Sequence, residues 1–146
     1  MRSDDGALLL GRILIGALFV PSGFAKLVGF SAFAASLTSK GLPFPEAWAA
    51  LAVVTELGGG LLIVVGAEIR FVALLMIAFT FVAAMLSHRY WAMSDEAMRR
   101  ANSIQFWKNI AIMGGFLVLH ASGAGKFSVD AWLERRGLRS SAVPPA

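Results

Sequence analysis

Four apolar runs dominate the sequence, and each is long enough to cross a bilayer as a helix. A membrane-spanning helix needs about 20 mostly apolar residues, and residues 7–28, 46–66, 71–89 and 104–122 meet this requirement. A helix also satisfies its own backbone hydrogen bonds, which hydrocarbon cannot do. We therefore predict an all-α fold, an integral membrane four-helix bundle in which residues 1–146 form a single domain.

The composition excludes several classes of protein. Hydrophobic residues make up 58% of the 146 residues and charged residues only 15%, whereas soluble proteins have about 25% charged residues. A soluble domain of this size leaves about a third of its surface in water, and this chain has too few polar groups to cover it. The composition excludes a soluble enzyme, a disordered chain and a nucleic-acid-binding domain. The net charge of +4 is interpreted as membrane-flanking Lys and Arg.

The metal-binding and redox chemistry of the chain is narrowly limited by its composition. There is no cysteine, which excludes disulfides, iron–sulfur clusters and thiolate nucleophiles. The two histidines, His88 and His120, end two successive spans that run in opposite directions, so we expect them on opposite faces of the membrane. We therefore expect no haem and no metal site. Any redox group has to come from another molecule.

The connections between the spans predict how the helices are arranged. Residues 67–70 allow only a tight turn, so the second and third spans are expected to be antiparallel neighbours. Apolar residues at helical spacing predict a short interfacial helix at 31–39 in the first loop. A second surface helix is predicted at 128–136, in the C-terminal region after the fourth span.

The first span is expected to be retained rather than cleaved as a signal peptide. Asp4 and Asp5 precede it, and no cleavage site of small residues follows it. With four spans, both termini lie on the same side as the turn at 67–70. That side carries six Lys and Arg against five on the other, which favours cytoplasmic termini in a bacterial inner membrane.

Charged residues within the spans are the main candidates for function, because such charges are expensive in a membrane. Glu56 lies near the middle of the second span, and glycines at 58–60 allow a neighbouring backbone to approach. Arg12 and Lys26 lie near opposite ends of one face of the first span, and we predict that Arg12 is the partner of Glu56. Two interpretations stay open: a structural ion pair, or a carboxylate that accepts protons or binds a ligand.

A second polar group is predicted near the side of the membrane opposite the termini. Several aromatic residues lie at the same depth, among them Trp91. The group is either a set of interface anchors within an aromatic belt, or a cationic pocket for an anion or a carbonyl-bearing head group. Its members come from three spans and are Lys26, Ser87, His88, Gln105, Lys108 and Asn109.

A set of motifs follows one another along the chain from about Leu10 to Asp130. They are Arg12, Ser22-Gly23-Phe24-Ala25-Lys26, Leu42-Pro43, Glu56 with Gly59-Gly60, His88 with Trp91, Gln105-Phe106-Trp107-Lys108-Asn109, Gly114-Gly115, Gly123, Gly125, Ser128 and Asp130. In this order they resemble the DoxX family of small four-helix membrane proteins.

The resemblance implies a four-helix membrane bundle. One branch of that family is associated with subunits of a thiosulfate:quinone oxidoreductase, and another with a membrane oxidoreductase complex that handles oxidative stress. The resemblance therefore implies a quinone- or redox-linked role.

The first functional hypothesis is a membrane subunit of a quinone-linked oxidoreductase that binds a quinone head group or a small anion between helices. Glu56 and His88 are the candidate catalytic residues. This hypothesis predicts a groove open to lipid between the spans. The candidate ligand-binding residues are Arg12, Lys26, Trp91, Gln105, Lys108 and Asn109.

Two further hypotheses stay open. The second is a non-catalytic scaffold that docks a soluble oxidoreductase on the helices at 31–39 and 128–136. The third is a small-solute transporter with Arg12 and Glu56 on the substrate path, although no inverted repeat is evident. Glycines at 58–60 and 114–115 would permit close helix contacts within one bundle or between copies of the chain.

Overall fold

The computed structural model describes residues 3–138, and this part of the chain is helical with no strand. α3 (Pro45–Val53), a π-helical turn (Val54–Gly58) and α4 (Gly59–Val65) follow one another without a break and form one long helical rod, which we call the second rod because it follows α1 (Ser3–Val28) among the long helices. The elements are α1 (Ser3–Val28), α2 (Phe30–Ser39), α3 (Pro45–Val53), the π-helical turn (Val54–Gly58), α4 (Gly59–Val65), α5 (Ile69–Ser87), a 3₁₀ turn (Tyr90–Ala92), α6 (Glu96–Ser122) and α7 (Val129–Arg135).

Three of the rods are long and apolar enough to cross a membrane: Asp4–Val28, Pro45–Val65 and Ile69–Ala92. They coincide with the first three predicted spans. The fourth predicted span, 104–122, lies within α6, which has 27 residues and is therefore about 40 Å long. α6 is not among the three apolar rods, because Gln, Lys and Asn side chains interrupt its apolar pattern. A membrane crossing by α6 therefore stays a prediction.

The two helix pairs of the bundle share one hydrophobic core. α5 packs along α6, and α1 packs along the second rod. Phe19 of α1 meets Phe116 of α6 with ring centroids 5.5 Å apart, and Met76 of α5 is fully buried in the same cluster. The core therefore joins all four long elements, and it fixes the faces that they turn towards one another.

Glycines set the close approach of α1 to the second rod. A Cβ on Gly23 would lie 2.6 Å from the backbone nitrogen of Leu57, and one on Gly60 would lie 3.3 Å from that of Val20. The predicted close helix contact at 58–60 is therefore made within the bundle. Gly114, in contrast, has no neighbouring atom within 4 Å of its Cβ position.

The predicted short helices are present as α2 and α7. α2 buries Ala34 and Leu37 against Ala49 of α3, in a small hydrophobic cluster separate from the main core. α7 begins after Ser128, whose hydroxyl accepts a hydrogen bond from the Ala131 N–H at 3.1 Å. Whether these helices lie at a membrane interface stays a prediction.

The segment before α7 closes one end of the bundle. The Asp130 carboxylate accepts hydrogen bonds from the Glu68 and Ile69 N–H groups at 2.9 and 3.0 Å, and it thereby caps the start of α5. Asp5 at the start of α1 accepts a hydrogen bond from the Lys126 N–H at 3.1 Å. We call residues 123–130 the end strap, because they tie α1, the 66–69 turn and α7 together.

Candidate functional site: a polar-floored groove between the helices

A groove of about 470 Å³ lies between α1, α2, the second rod, α5 and α6. Its walls are mostly apolar, and several of their side chains, such as Leu18, Leu51 and Val82, are also exposed on the outer surface of the bundle. The groove is therefore open sideways, towards the region that lipid would occupy. Ligand pockets commonly have volumes of 300–1,000 Å³, so the groove is large enough for one aromatic ring.

An ion pair forms the polar floor of this groove. Lys26 Nζ lies 2.6 Å from Glu56 Oε2 and donates a second hydrogen bond to Ser22 Oγ at 2.8 Å. Glu56 is nearly enclosed, with 7% of its side chain exposed, whereas Lys26 is 28% exposed. The Lys26 ammonium also lies 5.6 Å from the centre of the Phe33 ring. The Glu56 carboxylate therefore balances the charge of Lys26 within the groove, and the Ser22 hydroxyl accepts a further hydrogen bond from it.

The backbone at Glu56 departs from an ordinary α-helix. The π-helical turn Val54–Gly58 carries both Thr55 and Glu56. Single π turns inside α-helices widen the helix locally and are frequent at functional sites. Here the turn places Thr55 and Glu56 on the lining of the groove.

The predicted pairing of Arg12 with Glu56 is wrong. Arg12 lies at the other end of α1, where it is fully buried and donates a hydrogen bond to the Phe127 carbonyl of the end strap. The helix register explains this placement, because a Cβ on Gly16 would meet Val64 and one on Gly23 would meet Leu57. In this antiparallel register Lys26 is level with Glu56. Arg12 does not line the groove.

Most of the predicted polar group does line the groove. Lys26, His88, Lys108 and Asn109 all contribute to its walls, together with Ser87. Polar residues from all three of the predicted spans therefore line one groove.

Two predicted ligand-binding residues lie beside the groove rather than on it. Gln105 is not part of the lining, but its side-chain carbonyl accepts a hydrogen bond from Lys108. Trp91 also lies outside the lining. It packs edge-on against Tyr90 and Phe106, with ring centroids 5.2 and 5.6 Å away. Ligand binding by either residue stays a prediction.

The histidines lie at opposite ends of the α5–α6 pair, as predicted. His88 Nδ1 is 3.1 Å from the side-chain oxygen of Asn102, near the start of α6. His120 Nδ1 is 2.9 Å from the Arg70 carbonyl, near the start of α5. Within residues 3–138, no three His, Asp or Glu side chains come together in a group that could hold a metal ion.

Thr80 and Thr55 also line the groove, and the sequence analysis missed both. Thr80 is 2% exposed, and its hydroxyl has no hydrogen-bond partner within the described chain. A signal for Thr80 was present in the sequence, since it is the one polar residue in the middle of an apolar span. Thr55 could have been suspected as the neighbour of Glu56.

Comparison with known proteins decides the family. A family model for DoxX matches residues 7–89, which is more than half of the chain. The chain belongs to the DoxX family. The part of this DoxX-family membrane protein that matches runs from α1 to the end of α5 and contains Lys26, Glu56, Thr80 and His88.

Two relatives are similar over nearly their whole length. The chain is 40% identical over 123 residues to the inner membrane protein YphA of Escherichia coli (strain K12), which covers 84% of this chain and 87% of that protein. It is 34% identical over 135 residues to the inner membrane protein YqjF of the same organism, which covers 92% of this chain and 98% of that protein. No solved structure matches the chain. Both relatives are named as inner membrane proteins, and neither name states an activity.

Proposed function

We propose that this DoxX-family protein is the membrane subunit of a quinone-linked redox system, and that it binds a quinone head group in the groove. The observation that carries the proposal is the Lys26–Glu56 ion pair on the floor of an apolar groove. An ionisable residue inside a membrane span is expensive and usually serves a function. The pair here is accessible from the groove rather than sealed in the core.

The groove offers hydrogen-bond donors at two places. Lys26 lies at the floor, and Lys108, His88 and Asn109 lie on the part of the lining formed by the end of α5 and the middle of α6. A quinone ring carries two carbonyl oxygens on opposite sides, and two separated sets of donors suit such a ring. Glu56 is placed to give or take a proton when the bound ring changes its redox state. A soluble partner protein would supply the electrons.

The same arrangement suggests a location for the protein. We propose that it lies in a bacterial inner membrane, because the two relatives are inner membrane proteins. We further propose that α6 is the fourth span and that both termini are cytoplasmic. Under this arrangement α2 and α7 lie at the two interfaces, and the groove opens to the lipid, from which a quinone would enter.

A small anion is the second candidate ligand for the groove, because Lys108 and His88 are both part of the lining. A scaffold role without a ligand is the second candidate function. α7 carries an exposed Trp132 with the Arg136 guanidinium 4.3 Å from its ring centre. This exposed pair would suit contact with another protein.

The test is a titration of a short-chain quinone into the protein held in lipid nanodiscs. Lys108→Ala and His88→Ala should each weaken binding about tenfold, which is typical when a hydrogen bond from a charged or strongly polar group is lost. Lys126→Ala is the matched control, since Lys126 is exposed and lies at the end strap, outside the groove. Circular dichroism should show that all three variants keep their helices.

Unchanged quinone affinity in both groove variants would contradict the proposal. Co-purification of a stoichiometric soluble protein, without quinone binding, would favour the scaffold. Binding of an anion but not of a quinone would favour the second ligand.

A further inference from the structure

Three groups on the floor of the groove have hydrogen-bonding capacity that the described chain does not use. Only one oxygen of Glu56, Oε2, accepts a hydrogen bond. The Thr80 hydroxyl has no partner. Lys26 donates to Ser22 and Glu56, and an ammonium group has three N–H donors. The floor therefore keeps an unused acceptor on Glu56 and unused donors on Lys26 and Thr80.

The helix register brings these groups to the same level of the groove. The second rod and α5 are antiparallel and joined by the 66–69 turn, and a Cβ on Gly59 would lie 2.6 Å from Met76 Sδ. Thr55 on the π-helical turn lies one helical turn before Gly59, and Thr80 on α5 lies one helical turn after Met76. Because the two helices are antiparallel, both threonines lie on the same side of this contact. Glu56 follows Thr55 directly, and Thr55, Glu56 and Thr80 all line the groove.

The charges on this floor cancel. Lys26 and Glu56 form a contact ion pair, and the surrounding walls are apolar side chains such as Leu51 and Leu75. An anionic ligand placed at the floor would meet a Lys26 whose charge Glu56 already balances, and an unbalanced charge beside apolar walls is strongly unfavourable. An uncharged ligand would add none. The floor should therefore select ligands by their hydrogen-bonding groups and not by their charge.

We infer that the floor of the groove selects an uncharged aromatic ring that carries a hydroxyl group. The unpaired oxygen of Glu56 accepts the hydrogen bond of this hydroxyl, and Lys26 or Thr80 donates to its oxygen atom. This inference rests on the proposed ligand groove and goes further, because it ranks ligands within it. A ring with a hydroxyl group binds more tightly than the same ring with an acceptor alone, and an anionic ring binds weakly.

The experiment compares three probes that share one ring system. 2-Naphthol can donate and accept, 2-methoxynaphthalene can only accept, and 2-naphthoate is an anion. Each is titrated by calorimetry into the protein in lipid nanodiscs, with empty nanodiscs subtracted. Naphthol should bind at least about tenfold more tightly than either of the other two probes, because only naphthol is uncharged and can donate a hydrogen bond to the Glu56 carboxylate.

A pair of matched variants assigns the donor. Thr80→Val keeps the shape of the side chain and removes its hydroxyl, and it should weaken naphthol binding by about threefold to tenfold. Thr38→Val is the control, since Thr38 lies on α2 outside the groove and bonds only to the Ala34 carbonyl. Thr38→Val should leave the naphthol affinity unchanged.

The possible results separate this inference from the proposed function. Equal or tighter binding of naphthoate would overturn the inference, while the groove would stand as a ligand site. Equal binding of naphthol and methoxynaphthalene would also overturn it, because Glu56 would then not act as an acceptor. No binding of any probe above that of empty nanodiscs would contradict both the inference and the ligand groove.

Discussion

The two basic residues at the ends of the buried face of α1 have different surroundings. Lys26 faces the groove and pairs with Glu56. Arg12 is sealed under the end strap, where its guanidinium lies against Gly66, Phe127 and the nearby charge of Asp130. We therefore assign Arg12 to the stability of the fold, and we no longer expect it to bind a ligand. Lys26 and Glu56 remain candidates for function.

Gly66 is the residue whose substitution tests this role of Arg12. It has a positive φ of 70°, and a Cβ there would overlap the Arg12 guanidinium and lie 2.6 Å from Ser128 Cβ. Gly66→Ala should therefore lower the free energy of unfolding by more than about 2 kcal/mol, since overpacking of a buried site adds to the backbone strain. Thermal unfolding in detergent or nanodiscs measures the effect.

Gly41→Ala is the matched control for this substitution. Gly41 has a similar φ of 78°, but its Cβ position has no atom within 4 Å. Gly41→Ala should cost only the backbone strain of about 1 kcal/mol. Equal loss of stability in the two variants would mean that the packing of Arg12 against the turn contributes nothing.

At the residue scale, the sequence identified the charged side chains within the spans, but it did not identify their partners correctly. Arg12, Lys26 and Glu56 could be selected because charges in apolar spans are costly. Their pairing depends on the register between two antiparallel helices, and glycine contacts such as that of Gly23 with Leu57 set this register. The sequence of either helix alone does not determine which of its turns contacts the other helix.

At the scale of the elements, the sequence predicted the helices well but not their irregular parts. The first three spans follow from hydropathy alone, and the short helices α2 and α7 follow from apolar spacing and turn residues. The π-helical turn at Val54–Gly58 was not predictable, because it depends on how the second rod packs against α1 and α5. For the same reason the role of Thr80 became apparent only once α5 was placed beside Glu56.

α6 is the element whose placement most needs a test. Because the chain has no cysteine, single cysteines can be introduced at Ala67, Ser94 and Glu134 without background. If α6 crosses the membrane, a membrane-impermeant maleimide should label Ser94→Cys in intact spheroplasts. Ala67→Cys and Glu134→Cys should react only after lysis, since both would lie on the cytoplasmic side.

The pattern of labelling distinguishes the possible topologies. Labelling of Ser94→Cys and Glu134→Cys from the same side would show that α6 does not cross. The reverse pattern, with Ala67→Cys and Glu134→Cys labelled in intact spheroplasts, would show four spans with the opposite orientation.

At the scale of the whole molecule, the polar groups of an otherwise apolar bundle are concentrated in two places. The end strap and the Arg12 contact close one end. The groove lies towards the other end, where α2, the end of α5 and the middle of α6 line it. Membership of the DoxX family agrees with the predicted membrane fold. The ligand itself could not be predicted, because the sequence does not determine how the donors and the acceptor are arranged around the groove.

The most direct test of the central claim is mass spectrometry of the small molecules extracted from protein purified in native-membrane particles. If the groove is a quinone site, wild-type protein should carry a quinone in near-stoichiometric amount, and Lys108→Ala should lose it while Lys126→Ala keeps it. Wild-type protein that carries no quinone, or equal amounts of quinone in the two variants, would contradict the account.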